Sequence, residues 1–119
     1  MSGPERKPRE VLRRADFLRA TRCGRRFETG YFRVFVHWRG DEGATRLGIT
    51  VTRKVGKAVR RNLIKRLVRE WFRQRDRGLG ACDLIVIAKR ELPRELRLQQ
   101  VLSDLDRALA GWEPPLEAP

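Results

Sequence analysis

Residues 53–77 read RKVGKAVRRNLIKRLVREWFRQRDR, and they hold eleven of the 28 Lys and Arg residues of the chain against two acids, Glu70 and Asp76. On a helix, at 100° per residue, the stretch sorts into two faces. Asn62, Lys65, Arg66, Arg69 and Arg73 share one sector, while Leu63, Ile64, Leu67, Val68, Trp71 and Phe72 fill the opposite side. The apolar side calls for a core, and the cationic side calls for a polyanion. A merely solvated basic face interleaves Glu with Lys or Arg for i, i+4 support. Here Glu70 lies toward the edge and the centre carries no acid, so neighbouring cations repel one another until phosphates neutralise them.

Outward from this helix, expected over Lys57–Arg75 with Gly78 and Gly80 as its stop, the other elements follow by pattern. Asp16–Arg22 reads as a short helix ended by Gly24, with Phe17 and Ala20 on one face. Tyr31–Trp38 reads as a strand with Phe32, Val34, Val36 and Trp38 toward the core and Tyr31, Arg33, Phe35 and His37 on the other face. A turn at Asp41–Gly43 leads to a strand over Arg46–Thr52, which buries Leu47, Ile49 and Val51 and turns Gly48, Thr50 and Thr52 outward. These small residues beside Arg33 and Phe35 predict a shallow groove on the sheet. Cys82–Ala88 is nearly continuous in apolar residues and is expected to be a central strand buried on both faces. Pro93 marks the start of a last helix carrying Leu98, Val101, Leu102, Leu105 and Leu109. The pattern alone therefore gives helix, strand, strand, helix, strand, helix: a mixed α/β sandwich of one sheet with helices.

The 119 residues suit a single RNA-binding domain over about 12–112, flanked by a flexible basic arm at 1–11 and a disordered, proline-rich tail at 113–119. The sequence pI of 11.4 selects nucleic acid or an anionic membrane as the partner. No apolar run approaches the roughly 20 residues that span a bilayer, and residues 1–10 lack a signal core. A cytoplasmic, non-membrane protein is the expectation. Net charge is +6 over residues 1–27, zero over 28–52, +9 over 53–77 and −2 over 78–119, so the basic surface comes from the N-terminal segment and the long helix. Cys23 and Cys82 belong to no CxxC pair, which leaves zinc without support and makes both thiols expected packing residues.

Enzymatic readings fare poorly. Gly56-Lys57 has Val51 and Ala58 where a phosphate-binding loop needs Gly and Ser or Thr. The sole histidine, His37, cannot form a histidine pair. Asp83, Asp104 and Asp106 form no recognisable metal-ligand constellation, so neither catalytic nor metal residues are assigned. Binding features are better developed: the polar helix face grips phosphates, and Arg33 and Phe35 offer a cation and a stacking platform suited to single-stranded RNA. Phe17 can close the same groove, His37 can touch a bound nucleotide, and Asn62 can orient neighbours or read a ribose or base edge.

Residues 53–70, Arg53-Lys54-Val55-Gly56-Lys57-Ala58-Val59-Arg60-Arg61-Asn62-Leu63-Ile64-Lys65-Arg66-Leu67-Val68-Arg69-Glu70, closely resemble the signature of the bacterial ribonuclease P protein subunit. With Asp16-Phe17, Gly24, the strands and the last helix in the family's order, the resemblance covers roughly residues 12–110. It implies a single mixed sheet of about four strands with three helices, order α-β-β-β-α-β-α, of the ribosomal protein S5 domain 2-like kind, with a left-handed βαβ crossover against the usual preference. It implies a protein, monomeric and one per RNA, that binds a large catalytic RNA and assists removal of the 5′ leader of precursor tRNA. The RNA performs the Mg2+-dependent hydrolysis, and no organic cofactor is needed. By position, Arg61, Asn62, Lys65, Arg66 and Arg69 match the motif facing the catalytic RNA, and Arg53, Lys54 and Lys57 match the basic loop entering it. Phe17, Phe32 and Phe35 fall at aromatic positions of the family, and Phe17 and Phe35 would face the leader. Two departures stand out. Leu63 replaces a usual basic residue without entering the phosphate-facing sector, and Thr21 lies near a frequent second aromatic of the first helix. The rival readings are a general RNA-packaging protein and a stand-alone ribonuclease using His37. Neither accounts for the Arg-Asn-x-x-Lys-Arg-x-x-Arg spacing.

Overall fold

The computed structural model of the chain describes residues 13–41, 43–75 and 80–113. The predicted arm, nearly all of the predicted tail and the stop at Gly78 lie outside the described residues. The elements are α1 (Arg14–Cys23), β1 (Arg25–Glu28), β2 (Phe32–Trp38), β3 (Arg46–Thr50), a 3-10 turn (Arg53–Val55), α2 (Ala58–Arg75), β4 (Cys82–Ala88) and α3 (Leu98–Leu109). The four strands form one sheet in the order β1-β2-β4-β3. β4 pairs antiparallel with β2 and parallel with β3, so α2 is the crossover that returns the chain to the sheet centre. Three helices on a four-stranded mixed sheet match the architecture that the resemblance implies.

Alternation in β2 builds the core. Phe32, Val34 and Val36 are buried and stand opposite Ala88, Val86 and Leu84 of β4. Onto this face α2 lowers Ile64, Val68, Trp71 and Phe72, and α3 lowers Val101 and Leu105. Trp71 buries its ring and satisfies its indole by donating from Nε1 to Asp106 Oδ1 at 2.9 Å. β4 is buried on both faces, as expected of a strand that is continuous in apolar residues after Asp83. The second face, with Ile85 and Asp83, lies under α1, where Ala20 is fully buried. The molecule is thus three layers: α1, the sheet, then α2 with α3.

Several expectations need correction. The fourth strand, β1, escapes the hydrophobic pattern because its four residues RRFE offer one apolar side chain. Pairing with β2 holds it, and Phe27 packs on the core with the Arg25 guanidinium 5.2 Å above its ring. β3 stops at Thr50 rather than Thr52; Ile49 is half-buried, and Gly48, expected to face outward, is buried beside Ile85. Trp38 lies on the core face as expected but is only half-buried, packed against the edge of the core beside Trp112. Gly24 ends α1 without a left-handed turn, its φ being −79°. Glycine is required there for space: a Cβ would stand 2.4 Å from Ala20 O and 2.8 Å from Val36 O. Pro93 does not begin α3, which starts at Leu98 after a connector anchored elsewhere. Of the cysteines, only Cys82 packs, and burial pushes its thiol up to about 12; Cys23 is exposed.

Candidate RNA interface

Because Ile64, Val68, Trp71 and Phe72 are fixed in the core, the opposite sector of α2 must face outward. Asn62, Arg66, Arg69 and Arg73 are exposed, and Lys65 and Arg61 are half-buried. Among the described residues neither Lys65 nor Arg66 has an ion-pair partner. Arg73 differs, since it pairs with Glu70, and that contact holds the Glu70 carboxyl below its ordinary range. The approach to the helix continues the cationic surface, with Arg53 and Lys54 on the 3-10 turn and Lys57 beyond it, all exposed.

Two arginines in the motif have structural duties. Arg61 donates from Nε to Gly56 O at 3.2 Å, which steadies its stem over the turn. Arg60 folds back and donates to the carbonyls of Val55, Leu92, Pro93 and Arg94 at 3.3, 3.3, 2.7 and 2.8 Å. Its planar fork satisfies the connector ahead of α3 and joins it to the start of α2. Gly56 leaves room for this, since a Cβ there would lie 2.7 Å from Arg60 Cδ. Arg60 is thus a clamp within the fold.

The second surface lies on the far side of the sheet. Strand register sets its rows: Arg26, Phe35, Ile85 and Gly48 across the middle, then Glu28, Arg33, Ile87 and Thr50 toward one end. At the other end stand His37, Asp83 and Arg46. Asp83 is fully buried and accepts from Arg39 Nη1 at 2.8 Å and from Arg46 Nε and Nη2 at 2.7 and 2.9 Å. Burial alone would disfavour both guanidiniums, but hydrogen bonds to Asp83, and for Arg39 also to Asp41, raise their pKa values above the ordinary one. Arg46 also reaches Asp16 of α1 at 3.4 Å. This buried network ties α1 over the Asp83 end and leaves the Arg33 end open.

Phe17 and Phe35 are half-buried, on α1 and on the face that α1 covers, and Arg33 shares that face with Phe35. His37 falls at the covered end, its Nδ1 buried and without a hydrogen-bond partner among the described residues. The structure therefore brings Phe35 and Arg33 together beside α1 and sets His37 deeper than a freely exposed strand histidine. Phe32, also at an aromatic position of the family, is fully buried in the core. Sequence reasoning missed the Arg39–Asp83–Arg46 network and the place of Glu28 beside Arg33, because both depend on strand register. No three His, Cys, Asp or Glu side chains converge among the described residues, and among them no helix is long and apolar enough to cross a membrane.

Comparison with known proteins agrees with this geometry. A family model described as Ribonuclease P matches residues 6–112. The ribonuclease P protein component of Desulforapulum autotrophicum is 45% identical over 85 residues, covering 71% of this chain and 72% of that protein. That of Oleidesulfovibrio alaskensis is 42% identical over 104 residues, covering 83% and 82%. Among solved structures, the Staphylococcus aureus RNase P protein superposes with a TM-score of 0.77 at 33% identity, over 87% of this chain and 94% of that one. The Thermotoga maritima RNase P protein, solved with 1-(4-fluorophenyl)-2-thiourea, gives a TM-score of 0.77 at 37% identity, over 87% and 100%. With the match spanning nearly the whole fold, from α1 through the basic helix to α3, the chain belongs to the ribonuclease P protein component family.

Proposed function

We propose that this protein binds the catalytic RNA of ribonuclease P through the Arg53–Lys57 segment and the outer face of α2, and receives the 5′ leader of precursor tRNA in the cleft between α1 and the sheet. One observation carries the reading: an outward sector with Lys65 and Arg66 at its centre, neither ion-paired among the described residues, on a helix whose inner face is locked into the core. Such a surface is neutralised by a phosphate backbone. Arg53, Lys54, Lys57, Arg61, Asn62, Lys65, Arg66, Arg69 and Arg73 make the catalytic-RNA face. Phe17, Arg33 and Phe35 make the leader face, with His37 at its covered end. Catalysis is assigned to the RNA, with Mg2+ used by the holoenzyme, and the protein acts as a cytoplasmic monomer, one per RNA.

The role of the protein is then electrostatic and positional. The helix face reduces phosphate repulsion within the folded RNA, and the cleft adds binding to the one part of the substrate that the product lacks. The test is 5′ cleavage of a precursor tRNA by a bacterial ribonuclease P RNA at low Mg2+. Stimulation that needs both components, with no cleavage by protein alone, is the expected outcome. Binding of the RNA without any stimulation would reduce the protein to a general RNA binder, and cleavage by protein alone would restore the stand-alone nuclease.

A further inference from the structure

In the open end of the cleft, one carboxylate is surrounded by cations. Glu28 Oε2 lies 2.9 Å from Arg33 Nε, 3.3 Å from Arg26 Nη2 and 3.6 Å from Lys89 Nζ. Arg33 and then Arg26 and Lys89 hold the Glu28 carboxyl below its ordinary range, so it is ionised at neutral pH. Three cations on one anion leave an excess of positive charge. The pairs are exposed, Glu28 at 36% and Arg33 at 41%, so each contact is weak and exchangeable. Lys89 is the better fixed, donating from Nζ to Thr29 O at 2.6 Å. Beside the cluster a recess of about 490 Å³ is lined by Arg33, Ile87, Lys89, Arg90 and Glu91, so its cations outnumber its single acid.

We infer that Glu28 is a resident stand-in for a phosphodiester of the leader, occupying a phosphate seat between Arg33 and Lys89 that bound RNA takes over. This rests on the proposed leader cleft and deepens it. A phosphodiester carries the same single charge as a carboxylate and presents two anionic oxygens, which suit the Arg33 fork and the Lys89 ammonium together. Arg33 lies two residues from Phe35 on the same face of β2, about 7 Å along the strand. A nucleotide stacked on Phe35 would therefore bring its own backbone to the seat. Because the seat is already filled, phosphate alone gains little there, and a strand is favoured only when base stacking accompanies it. Glu28 thus competes with the leader backbone for Arg33 and Lys89, and the balance between that resident pairing and stacking on Phe35 sets how tightly the leader is held.

The test uses the holoenzyme reconstituted with a bacterial ribonuclease P RNA. Binding of precursor tRNA and of mature tRNA is measured across a salt series for the unaltered protein, Glu28→Gln and Phe35→Ala. Gln keeps an oxygen for Arg33 to donate to while removing the charge. Glu28→Gln is expected to tighten precursor binding about two- to fivefold, the size of an exposed ion pair, and to steepen its salt dependence, with mature tRNA unmoved. Weaker or unchanged precursor binding, while Phe35→Ala still weakens it, would overturn the stand-in role and leave the leader cleft intact. If Phe35→Ala spared precursor binding, or weakened both tRNAs equally, the leader cleft itself would fall, and this inference with it.

Discussion

Asp83 shows how much a single buried charge constrains this fold. It is fully buried, and the two guanidiniums that satisfy it come from Arg39, after β2, and from Arg46, which opens β3. Removing one partner of such a group leaves the others in a poorly hydrated site, at a typical cost of about 3–5 kcal/mol. Arg46 is 32% exposed, so water recovers part of that loss. Asp83→Asn is expected to destabilise the protein by about 3 kcal/mol in urea unfolding, with the main loss where α1 rests on β4. A change below about 0.5 kcal/mol, the size of an ordinary surface substitution, would mean that the network is ornamental. This role of Asp83 was not legible in the sequence. An acid at the head of an apolar strand looks like a strand end, and only the register Arg46 opposite Asp83 reveals the pair.

At the scale of elements, α1 and the sheet define the cleft, and Gly24 sets their distance. Its missing side chain lets the end of α1 approach Val36 O, so the helix lies low enough to bury Ala20. In Gly24→Ala the new methyl meets two backbone oxygens, which cannot rotate away as a flexible side chain would. The expected cost is about 1–3 kcal/mol, typical of overpacking, together with weakened precursor binding as α1 lifts. Thermal unfolding and the same precursor-versus-mature comparison measure both effects, and unchanged values for both would show that α1 does not depend on this contact. The sequence announced a stop at Gly24 but not its reason, since a C-terminal glycine reads the same whether it supplies a left-handed turn or close packing. α2 and β2 were legible because their apolar residues follow clean periods, and β4 because its apolar run after Asp83 is continuous. β1 was not, since RRFE has no period to display and exists as a strand because β2 pairs with it. The start of α3 was misjudged for a related reason: Pro93 suits a helix start, but Arg60 binds the connector carbonyls and holds that segment out of the helix.

For the whole molecule, the layered order sets the two proposed RNA contacts on opposite sides of the sheet. α2 turns its cations away from the core on one side of the sheet, while the cleft with Phe35 opens on the other. Contact with the catalytic RNA is therefore expected to be mainly ionic, and contact with the leader to add stacking. The two surfaces should respond differently to salt. Each phosphate contact on RNA contributes roughly 0.7–0.9 to the slope of log affinity against log salt. Arg66 is exposed and has no ion-pair partner among the described residues, so its loss removes one such contact without exposing a buried group. Arg66→Ala is expected to weaken assembly with the catalytic RNA and to flatten that slope by about one unit, while stability stays within about 0.5 kcal/mol of the unaltered protein. Phe35→Ala should leave the assembly slope unchanged, because an aromatic ring releases no counterions. Assembly affinities across a salt series for both variants decide the matter: an unaltered slope in Arg66→Ala would remove the α2 face from the RNA contact, and a flattened one in Phe35→Ala would show that the two sides of the sheet do not divide the work.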